Sequence, residues 1–490
     1  MGSSKQLLHI GVLSSPGLGH IIPVVTLGNR LATIHNVSVT VFVITSGSSL
    51  AETEILKSAH KSKMIDVVEI PAVDISKLID SNTKTVTQLC MLVRETLCVV
   101  KSVIFAMKHL LDALIVDIFT TEALSIAKEF GLPNYVYIPT NAWFTALTVY
   151  CPVLDKEIEG QYVDHKEPLK IPGCKPVRPE DVSDPMLDRN DQNYREYLKV
   201  LGIGFCLSDG ILINTWEGAE AGSLKALREN EILKAIVKSP VYPVGPLIRH
   251  EQQIIDGDDD GNNSVLNWLD KQIPNSVLYI SFGSGGTLSS KQLTELAFGL
   301  ELSHQKFIWV VRPPSEDGAD KLYFTTGDQG ENTPEYLPEG FQTRTKDFGL
   351  VIQTWTDQTR ILSHPSVGGF LTHCGWNSSI ESITNGLPMI AWPLYAEQRQ
   401  NATMLTEELR VAVRPKVLPT KEVVEREEIE QFVRMVMQCK EGNELKENVK
   451  KLKMSAEKAL SIGGSSHDSM CQVLRDIEKR SIHGCKNIKV

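Results

Sequence analysis

A short polar run between two apolar segments carries the chain's clearest chemical signal. A strand is predicted over Val367–Thr372, and it ends at His373. Asn377-Ser378 then begins a helix, which Asn385-Gly386 and the following Pro388 bring to an end. The first N–H groups of a helix have no partner within it, and the helix dipole adds partial positive charge there. A histidine and small hydroxyls at that point predict a site for an anionic phosphate.

Residues around this helix start extend the phosphate site toward a nucleotide site. Glu381 lies one turn into the helix, where its carboxylate can accept hydrogen bonds from neighbouring sugar hydroxyls. Trp355 offers a flat face for a base. The small residues of Ser281–Gly286 follow another predicted strand and allow close approach to a phosphate, although any tight strand-to-helix turn also needs glycine. Together these residues predict a nucleotide diphosphate site without a Walker loop.

A second candidate group lies near the start of the chain, in the turn Ser14–His20. Gly17 and Gly19 fit the glycine pattern of dinucleotide-binding folds, but Ile22 occupies the third position, so that pattern fails. What remains is His20 at the carboxyl end of a strand, where open α/β sheets bind their ligands. Taken alone, a histidine at such a junction is more often structural than catalytic.

Asp117 ends another predicted strand and is the natural companion of such a histidine. A carboxylate that holds one ring nitrogen stabilises the imidazolium formed when histidine acts as a base. From position alone, a helix cap or a loop acid is the more common role for an aspartate such as Asp117.

These candidates sit at strand ends in a regular alternation of strands and helices. Continuous apolar strands separated by helices predict α/β architecture with parallel sheets covered on both faces. The predicted strands are Leu7–Ser14, Val37–Thr45, Asp66–Ile70, Ala113–Asp117, Tyr135–Pro139, Ile211–Asn214, Ser276–Phe282, Lys306–Val311, Gly349–Thr354, Val367–Thr372 and Met389–Trp392.

The length of 490 residues exceeds what one hydrophobic core usually supports, so two domains are expected. We predict a first domain over residues 1–248, a polar linker over 249–263, a second domain over 264–468, and a last helix within 469–490 that packs back on the first domain. Asp256–Gly261 resembles the start of a calcium loop, but Asn267 stands where the bidentate glutamate belongs. We therefore expect a solvated linker there and no metal.

Composition excludes several classes of partner. The net charge of −10 argues against nucleic acid or an anionic membrane as the main partner. The longest apolar region, Leu97–Leu111, is interrupted by Lys101 and Lys108, and Leu7–Leu13 is too short for a signal peptide, so no integral membrane segment is expected. The 9 cysteines show no pairwise spacing, which indicates free thiols in a reducing compartment. We expect a cytoplasmic monomer.

The stretch from Trp355 to Gln398 resembles the sugar-donor box of plant family 1 UDP-sugar glycosyltransferases. Trp355, His373–Ser378, Glu381 and the closing Gln398 stand where that family has them. Two departures occur. Thr356-Asp357-Gln358 replaces the usual Ala-Pro-Gln, and Glu397 stands where many members have aspartate.

The resemblance covers essentially the whole chain and implies the GT-B fold, in which two Rossmann-like domains face each other across a cleft. It implies an inverting glucosyltransferase that takes UDP-glucose as co-substrate and uses no cofactor or metal. His20, in its Pro-Gly-x-Gly-His context, would be the general base, and Asp117, in Val-Asp-x-Phe, would orient it. The implied UDP-sugar-binding residues are Gly19, Ser284, Trp355, Thr356, Gln358, His373, Gly375, Trp376, Asn377, Ser378, Glu381, Tyr395, Glu397 and Gln398.

The acceptor is the least defined part of this prediction. The resemblance is nearest to members that act on small phenols such as hydroquinone and monolignols, so a small aromatic hydroxyl is expected. Candidate pocket walls, which are equally typical of an ordinary core, are Ile118, Phe119, Trp143, Met186 and Leu187. Flavonoid or terpenoid acceptors remain alternatives, as does a non-catalytic UDP-sugar-binding protein. A nucleotide-sugar epimerase or dehydrogenase would need the glycine that Ile22 replaces.

Overall fold

Two sheets of parallel strands organise the chain, for which the computed structural model describes residues 7–45, 50–59, 64–249, 260–316, 336–353 and 356–484. The first sheet contains β1 (His9–Ser14), β2 (Ser38–Thr45), β3 (Ile65–Pro71), β4 (Ala113–Asp117), β5 (Asn134–Ile138), β6 (Gly210–Ile213) and β7 (Val241–Pro243). The second contains β8 (Val277–Ser281), β9 (Lys306–Val310), β10 (Gly349–Ile352), β11 (Val367–Thr372), β12 (Met389–Ala391) and β13 (Ala412–Val413). The strand orders are β3-β2-β1-β4-β5-β6-β7 and β10-β9-β8-β11-β12-β13.

The strands are rich in β-branched residues because both faces of each sheet are covered. In β2 every residue from Val39 to Ile44 is buried. Val12 pairs with Val41 on one side and with Ile115 on the other, so the apolar side chains stay in register. Continuous burial of this kind is typical of parallel sheets in α/β proteins, and it confirms the predicted fold class.

In each sheet the strand order reverses next to the strand that comes first in the chain, β1 in one sheet and β8 in the other. β1 lies between β2 and β4, and β8 lies between β9 and β11. Open parallel sheets bind ligands at this reversal, outside the carboxyl ends of the strands. Asp117 ends β4 and His373 follows β11, so both reversals carry residues that the sequence singles out.

Helices connect the strands and cover the sheets. They are α1 (Leu18–His35), α2 (Leu50–Ala59), α3 (Thr85–Phe105), α4 (Leu124–Glu129), α5 (Ala142–Glu157), α6 (Gln192–Glu196), α7 (Glu217–Glu229), α8 (Glu231–Ile236), α9 (Asp260–Leu269), α10 (Ser290–Ser303), α11 (Phe341–Thr345), α12 (Gln358–Ser363), α13 (Trp376–Asn385), α14 (Gln398–Thr403), α15 (Arg426–Gln438), α16 (Lys440–Leu460) and α17 (Ser465–Gly484). Two π-helical segments, Tyr197–Ile203 and Met404–Glu408, extend α6 and α14. Within the described residues, no helix is both long and apolar enough to span a membrane.

The last two helices join the halves of the chain. The Trp216 indole of the first half donates a hydrogen bond of 2.8 Å to Ser455 Oγ of α16. Met470, Val473 and Ile477 of α17 are buried in the core of the first half. These contacts attach α16 and α17 to the first half.

The boundaries of two elements differ from the sequence-based ones. α9 begins at Asp260, inside the range predicted as linker, because Val265 and Leu269 bury one face of that helix. α17 begins at Ser465, before the predicted position 469. Asp256–Asp259 of the acidic run lie outside the described residues. The eight cysteines in the described part of the chain are all free thiols.

Candidate active site

A cavity opens between the carboxyl ends of the two sheets, and both halves of the chain line it. Its wall in the first half comes from the start of α1 and from residues that follow β4 and β5. Its wall in the second half comes from residues after β8, β9 and β11 and from the loop before α14. The predicted site residues that line it are Gly19, His20, Ile118, Ser284, Thr356, Gln358, His373, Gly375, Trp376, Asn377, Ser378, Glu381, Tyr395, Glu397 and Gln398. Trp355 lies outside the described residues.

His20 faces the cavity from the first turn of α1, with Asp117 behind it. Gly17 caps this helix with φ of 100°, a left-handed conformation that favours glycine. The Nδ1 of His20 donates to the Asp117 carboxylate, 3.0 Å from Oδ2 and 3.3 Å from Oδ1. The other ring nitrogen, Nε2, is therefore left to exchange a proton on the cavity side. The Phe119 ring packs edge-on against the imidazole, with 5.1 Å between ring centroids.

Asp117 is held as a carboxylate although it is fully buried. The Ile118 N–H donates to its Oδ1 at 2.6 Å, and the N–H and hydroxyl of Ser15 both donate to its Oδ2. Burial alone would raise the pKa of Asp117, but the charge and hydrogen bond of His20 and these donors lower it. The carboxylate can therefore orient His20 and stabilise the imidazolium.

The surroundings of His20 raise its pKa above the ordinary value of 6.5. Burial by itself would lower the pKa, but the charge and hydrogen bond of Asp117 and the charge of Glu397 outweigh it. The sequence alone predicts no such shift in the pKa of His20. His20 thus holds its proton to higher pH than a free histidine, and it becomes a base only above that raised pKa.

His373 lies in the opposite wall, held between two glycines. A β-carbon at Gly283 or Gly375 would come within 2.6 or 2.5 Å of the ring's Nε2, so neither position has room for a side chain. The Nδ1 of His373 is buried and has no hydrogen-bond partner among the described residues. Burial, followed by the charge of Arg312, lowers the pKa of His373 to about 4. At neutral pH the ring is therefore uncharged.

Arg312 is a cavity residue that the sequence analysis did not single out. It follows β9, and its Nη1 donates to the Ser284 carbonyl. Burial lowers the pKa of Arg312, yet a guanidinium stays protonated in proteins. The signal available in the sequence was an arginine at the carboxyl end of a predicted strand. Arg312 supplies a positive charge beside His373 and Ser284.

The first turns of α13 form a connected polar group. Gln358 Nε2 donates to Glu381 Oε2 at 2.6 Å and to Ser378 Oγ at 2.9 Å. Burial raises the pKa of Glu381 to about 7. Glu381 thus lies on the cavity wall, and a hydroxyl that donates a hydrogen bond to it would stabilise its ionised form.

The first two residues of α13 connect the two halves of the chain. The Trp376 indole donates to the Asn214 carbonyl at 2.7 Å, and Asn377 Nδ2 donates to the Gly19 carbonyl at 3.3 Å. The side chain of Trp376 is thereby committed to the boundary between the halves. This role depends on tertiary contacts that the local pattern does not carry.

Asp357, which departs from the family pattern, caps α12 and pairs with an arginine from the end of the first half. Its Oδ1 accepts from the Thr359 N–H at 3.2 Å and from Arg249 Nη2 at 2.8 Å. The side chains of Arg249 and Asp357 are only 12% and 5% exposed. The pair joins the end of the first half to the segment just before α12, beside Thr356 and the cavity.

Removing one partner of this pair should destabilise the protein because the other charge stays buried. We expect Asp357→Ala to cost about 3 kcal/mol, of the order found for broken buried pairs. That corresponds to a fall of about 3 °C in thermal midpoint if the whole chain unfolds together, or about 6 °C if one half unfolds alone. Glu129→Ala is the matched control, because the Lys101–Glu129 pair is exposed (46% and 57%) and should change the midpoint little. Equal, small shifts for both variants would show that the buried pair contributes nothing.

Glu397 and Gln398 lie beside the His20 side of the cavity. Asn401 Nδ2 donates to Glu397 Oε1 at 3.1 Å, and burial raises the pKa of Glu397. Gln398 Oε1 already accepts from the N–H groups of Leu394 and Tyr395, at 2.9 and 3.0 Å. The NH₂ of Gln398 is therefore the part left to donate to a ligand.

The predicted acceptor residues divide into two groups. Ile118 lines the cavity and Phe119 contacts His20. Trp143 and Met186 are instead buried in hydrophobic cores, and Leu187 packs against one of them, all three outside the cavity wall. Phe144 lines the cavity in place of Trp143, because a step of one residue along a helix turns a side chain by about 100°.

Comparison with known proteins identifies the chain's family. Residues 262–456 match the family model for UDP-glucuronosyl and UDP-glucosyl transferases. The chain is 53% identical over 471 residues to anthocyanidin 3-O-glucosyltransferase 5 of Manihot esculenta, covering 96% of each chain. It is 42% identical over 476 residues to hydroquinone glucosyltransferase of Rauvolfia serpentina, covering 95% of this chain and 97% of the relative.

Solved structures agree with the sequence relatives. The crystal structure of TcCGT1 in complex with UDP superposes with a TM-score of 0.88 at 45% identity, covering 97% of this chain and all (100%) of that one. UGT2 of Phytolacca americana, complexed with UDP-2-fluoro-glucose and pterostilbene, superposes with a TM-score of 0.84 at 36% identity, covering 96% and 100%. The chain belongs to the plant family 1 UDP-sugar glycosyltransferases and is a glycosyltransferase enzyme with the GT-B fold.

Proposed function

We propose that the enzyme transfers glucose from UDP-glucose to the hydroxyl of a small aromatic acceptor, with inversion at the anomeric carbon. The observation that carries this proposal is the His20–Asp117 pair, which faces the polar start of α13 across one cavity. The base lies in the first half of the chain and the groups suited to a diphosphate lie in the second. Attack and departure can then occur on opposite faces of the sugar, as inversion requires.

His20 is the general base in this proposal. The acceptor hydroxyl gives its proton to His20 Nε2 while its oxygen forms a bond to the anomeric carbon. The bond from that carbon to the UDP oxygen breaks, and its electron pair leaves with UDP. Asp117 holds Nδ1 and balances the charge of the imidazolium (3.0 Å).

Charge on the departing diphosphate is met by groups of the second half. The N–H groups at the start of α13 are oriented toward an anion by the helix geometry. Arg312 adds a cation, and His373 adds an uncharged ring with an unpaired nitrogen. These groups do the work that a divalent cation does in other transferases, so we propose that catalysis needs no metal.

The remaining cavity residues suit the nucleoside and the sugar. In its ionised form, Glu381 would accept hydrogen bonds from the ribose hydroxyls. The Gln398 NH₂ and the Glu397 carboxylate would bind glucose hydroxyls close to His20. Thr356 and Gln358 would contact the uracil ring of UDP. For the acceptor, Ile118 and Phe144 provide apolar wall, and the relatives named for hydroquinone and anthocyanidin favour a phenolic hydroxyl.

The direct test is a product analysis with UDP-glucose and UDP-galactose on a panel of simple phenols, flavonoids and terpenoid alcohols. We expect a β-glucoside from UDP-glucose, seen by mass and by the NMR coupling of the anomeric proton, with phenols as the best acceptors. UDP-galactose should be a poor donor, and a chelator should leave the rate unchanged. An α-linked product, equal use of UDP-galactose, or activity that chelation abolishes and magnesium restores would contradict the corresponding part of the proposal.

The raised pKa of His20 predicts the pH dependence of the reaction. Activity requires unprotonated His20, so kcat/KM should fall as pH drops through a pKa above 6.5. Asp117→Asn removes the charge that raises the pKa of His20, while burial still lowers that pKa. The acidic limb of the kcat/KM profile should therefore move to lower pH, and the maximal rate should also be lower. Profiles should be measured with an acceptor whose own pKa is near 10. A limb that stays in place or moves to higher pH would show that Asp117 does not set the ionisation of the base.

A further inference from the structure

Three potential metal ligands meet where the end of α1 opposite the cavity contacts α17. His35 is the last residue of α1, and His467 and Cys471 lie on α17. The pair on α17 is separated by four residues, which places both side chains on one face of the helix. The three side chains are partly buried and their ligand atoms all lie within 4.8 Å of one another. None of them lines the catalytic cavity.

The distances suit one small cation held by all three residues. Cys471 Sγ lies 3.8 Å from His35 Nδ1 and 3.9 Å from His467 Nδ1. Zinc bonds of about 2.3 Å to sulfur and about 2.1 Å to nitrogen, at a tetrahedral angle, place those atoms about 3.6 Å apart. The two sulfur–nitrogen distances therefore need to shorten by only a few tenths of an ångström. The two histidine nitrogens, which lie within 4.8 Å of each other, must approach to about 3.4 Å. The two imidazole rings face the same space, with centroids 5.3 Å apart.

The contacts among the three side chains are weak. Both S···N distances, 3.8 and 3.9 Å, are long for hydrogen bonds, so a cation would not have to break a strong one. His467 Nδ1 also lies 3.3 Å from Oδ1 of the exposed Asp468, so the cation competes with that contact for the same nitrogen.

We propose that His35, His467 and Cys471 bind one zinc-class divalent cation, with a water molecule in the fourth position. On binding, Cys471 loses its proton to solvent and coordinates as the thiolate. A mixed set of two imidazoles and one thiolate favours zinc, cobalt or copper over magnesium or calcium. Because the site joins α1 to the last helix of the chain, its role is structural: the cation fastens α17 to the first half. This inference does not depend on the proposed reaction.

Cobalt binding tests the site directly, because cobalt bound to a thiolate has a charge-transfer absorption that cobalt bound to nitrogen and oxygen lacks. The protein should be full-length, free of any polyhistidine tag, reduced and stripped of metal with a chelator. We expect one equivalent of Co²⁺ to produce the thiolate band, and Zn²⁺ to displace it and raise the thermal midpoint. Cys98→Ser, at an exposed cysteine on α3, is the matched control and should bind like the wild type.

Variants of the ligands complete the test. Cys471→Ser should abolish the thiolate band. Loss of a residue that only hydrogen-bonds to a metal ligand weakens metal binding by about 10- to 100-fold, so His467→Ala, which removes a ligand itself, should weaken cobalt binding by at least that much. Circular dichroism and retained UDP binding show that each variant is folded. A wild-type protein that gives no thiolate band, or a band that persists in Cys471→Ser, would overturn the proposal. Chelation should lower the thermal midpoint without lowering the initial glycosylation rate, which separates this site from the catalytic one.

Discussion

His20→Ala should lower kcat by about 10²- to 10⁴-fold, the usual contribution of a general base. The affinity for UDP should be nearly unchanged, because the groups that suit the diphosphate lie across the cavity in the second half of the chain. Initial rates at saturating UDP-glucose with a phenol of pKa near 10, together with UDP titration calorimetry, give both quantities.

His165→Ala controls for the loss of a histidine as such, because His165 is exposed and lies outside the cavity wall. We expect it to match the wild type. If His20→Ala lost UDP binding in parallel with its rate, His20 would shape the cavity and would not be the base.

Arg312→Ala should lower kcat by about 10²- to 10³-fold, the range seen when a preorganised group that stabilises developing charge is removed. It should also weaken UDP binding, in contrast to His20→Ala, because the diphosphate carries negative charge before and after transfer. The loss should be of similar size for acidic and weakly acidic acceptors, since Arg312 acts on the leaving group.

Arg312→Lys retains the positive charge and should recover part of both losses. The recovery should be incomplete, because an ammonium cannot reproduce the planar guanidinium that donates to the Ser284 carbonyl. An Arg312→Ala variant that binds UDP like the wild type would remove Arg312 from the diphosphate site.

Local sequence patterns predict those elements whose ends are set by residues close to them in the sequence. A strand followed by a polar helix start located His373 and Ser378, because strand ends and helix caps are set by neighbouring residues. The same reasoning placed Asp117 at the end of β4, whose bounds Ala113–Asp117 are those predicted. Parallel sheets then bring such strand ends to common edges.

The remaining features depend on contacts between distant segments. The Arg249–Asp357 pair and the bond from Trp376 to Asn214 cross between the halves, and no local pattern carries them. The sequence predicts Trp143 as a pocket wall, but Trp143 is buried in a hydrophobic core shared by the two halves. An apolar residue suits either environment, so residue type alone does not distinguish them. His35 lies 432 residues from His467, so only the pair on α17 was visible as a spacing.

The central claim is that His20 removes the acceptor proton, and a series of phenols of graded acidity tests it most directly. The measurement is the ratio of wild-type to His20→Ala kcat across phenols whose pKa values run from about 10 down to the assay pH. An acidic phenol is already partly ionised and needs little help from a base, so the ratio should shrink steadily as the acceptor pKa falls. A ratio that stays the same for every phenol would contradict the account.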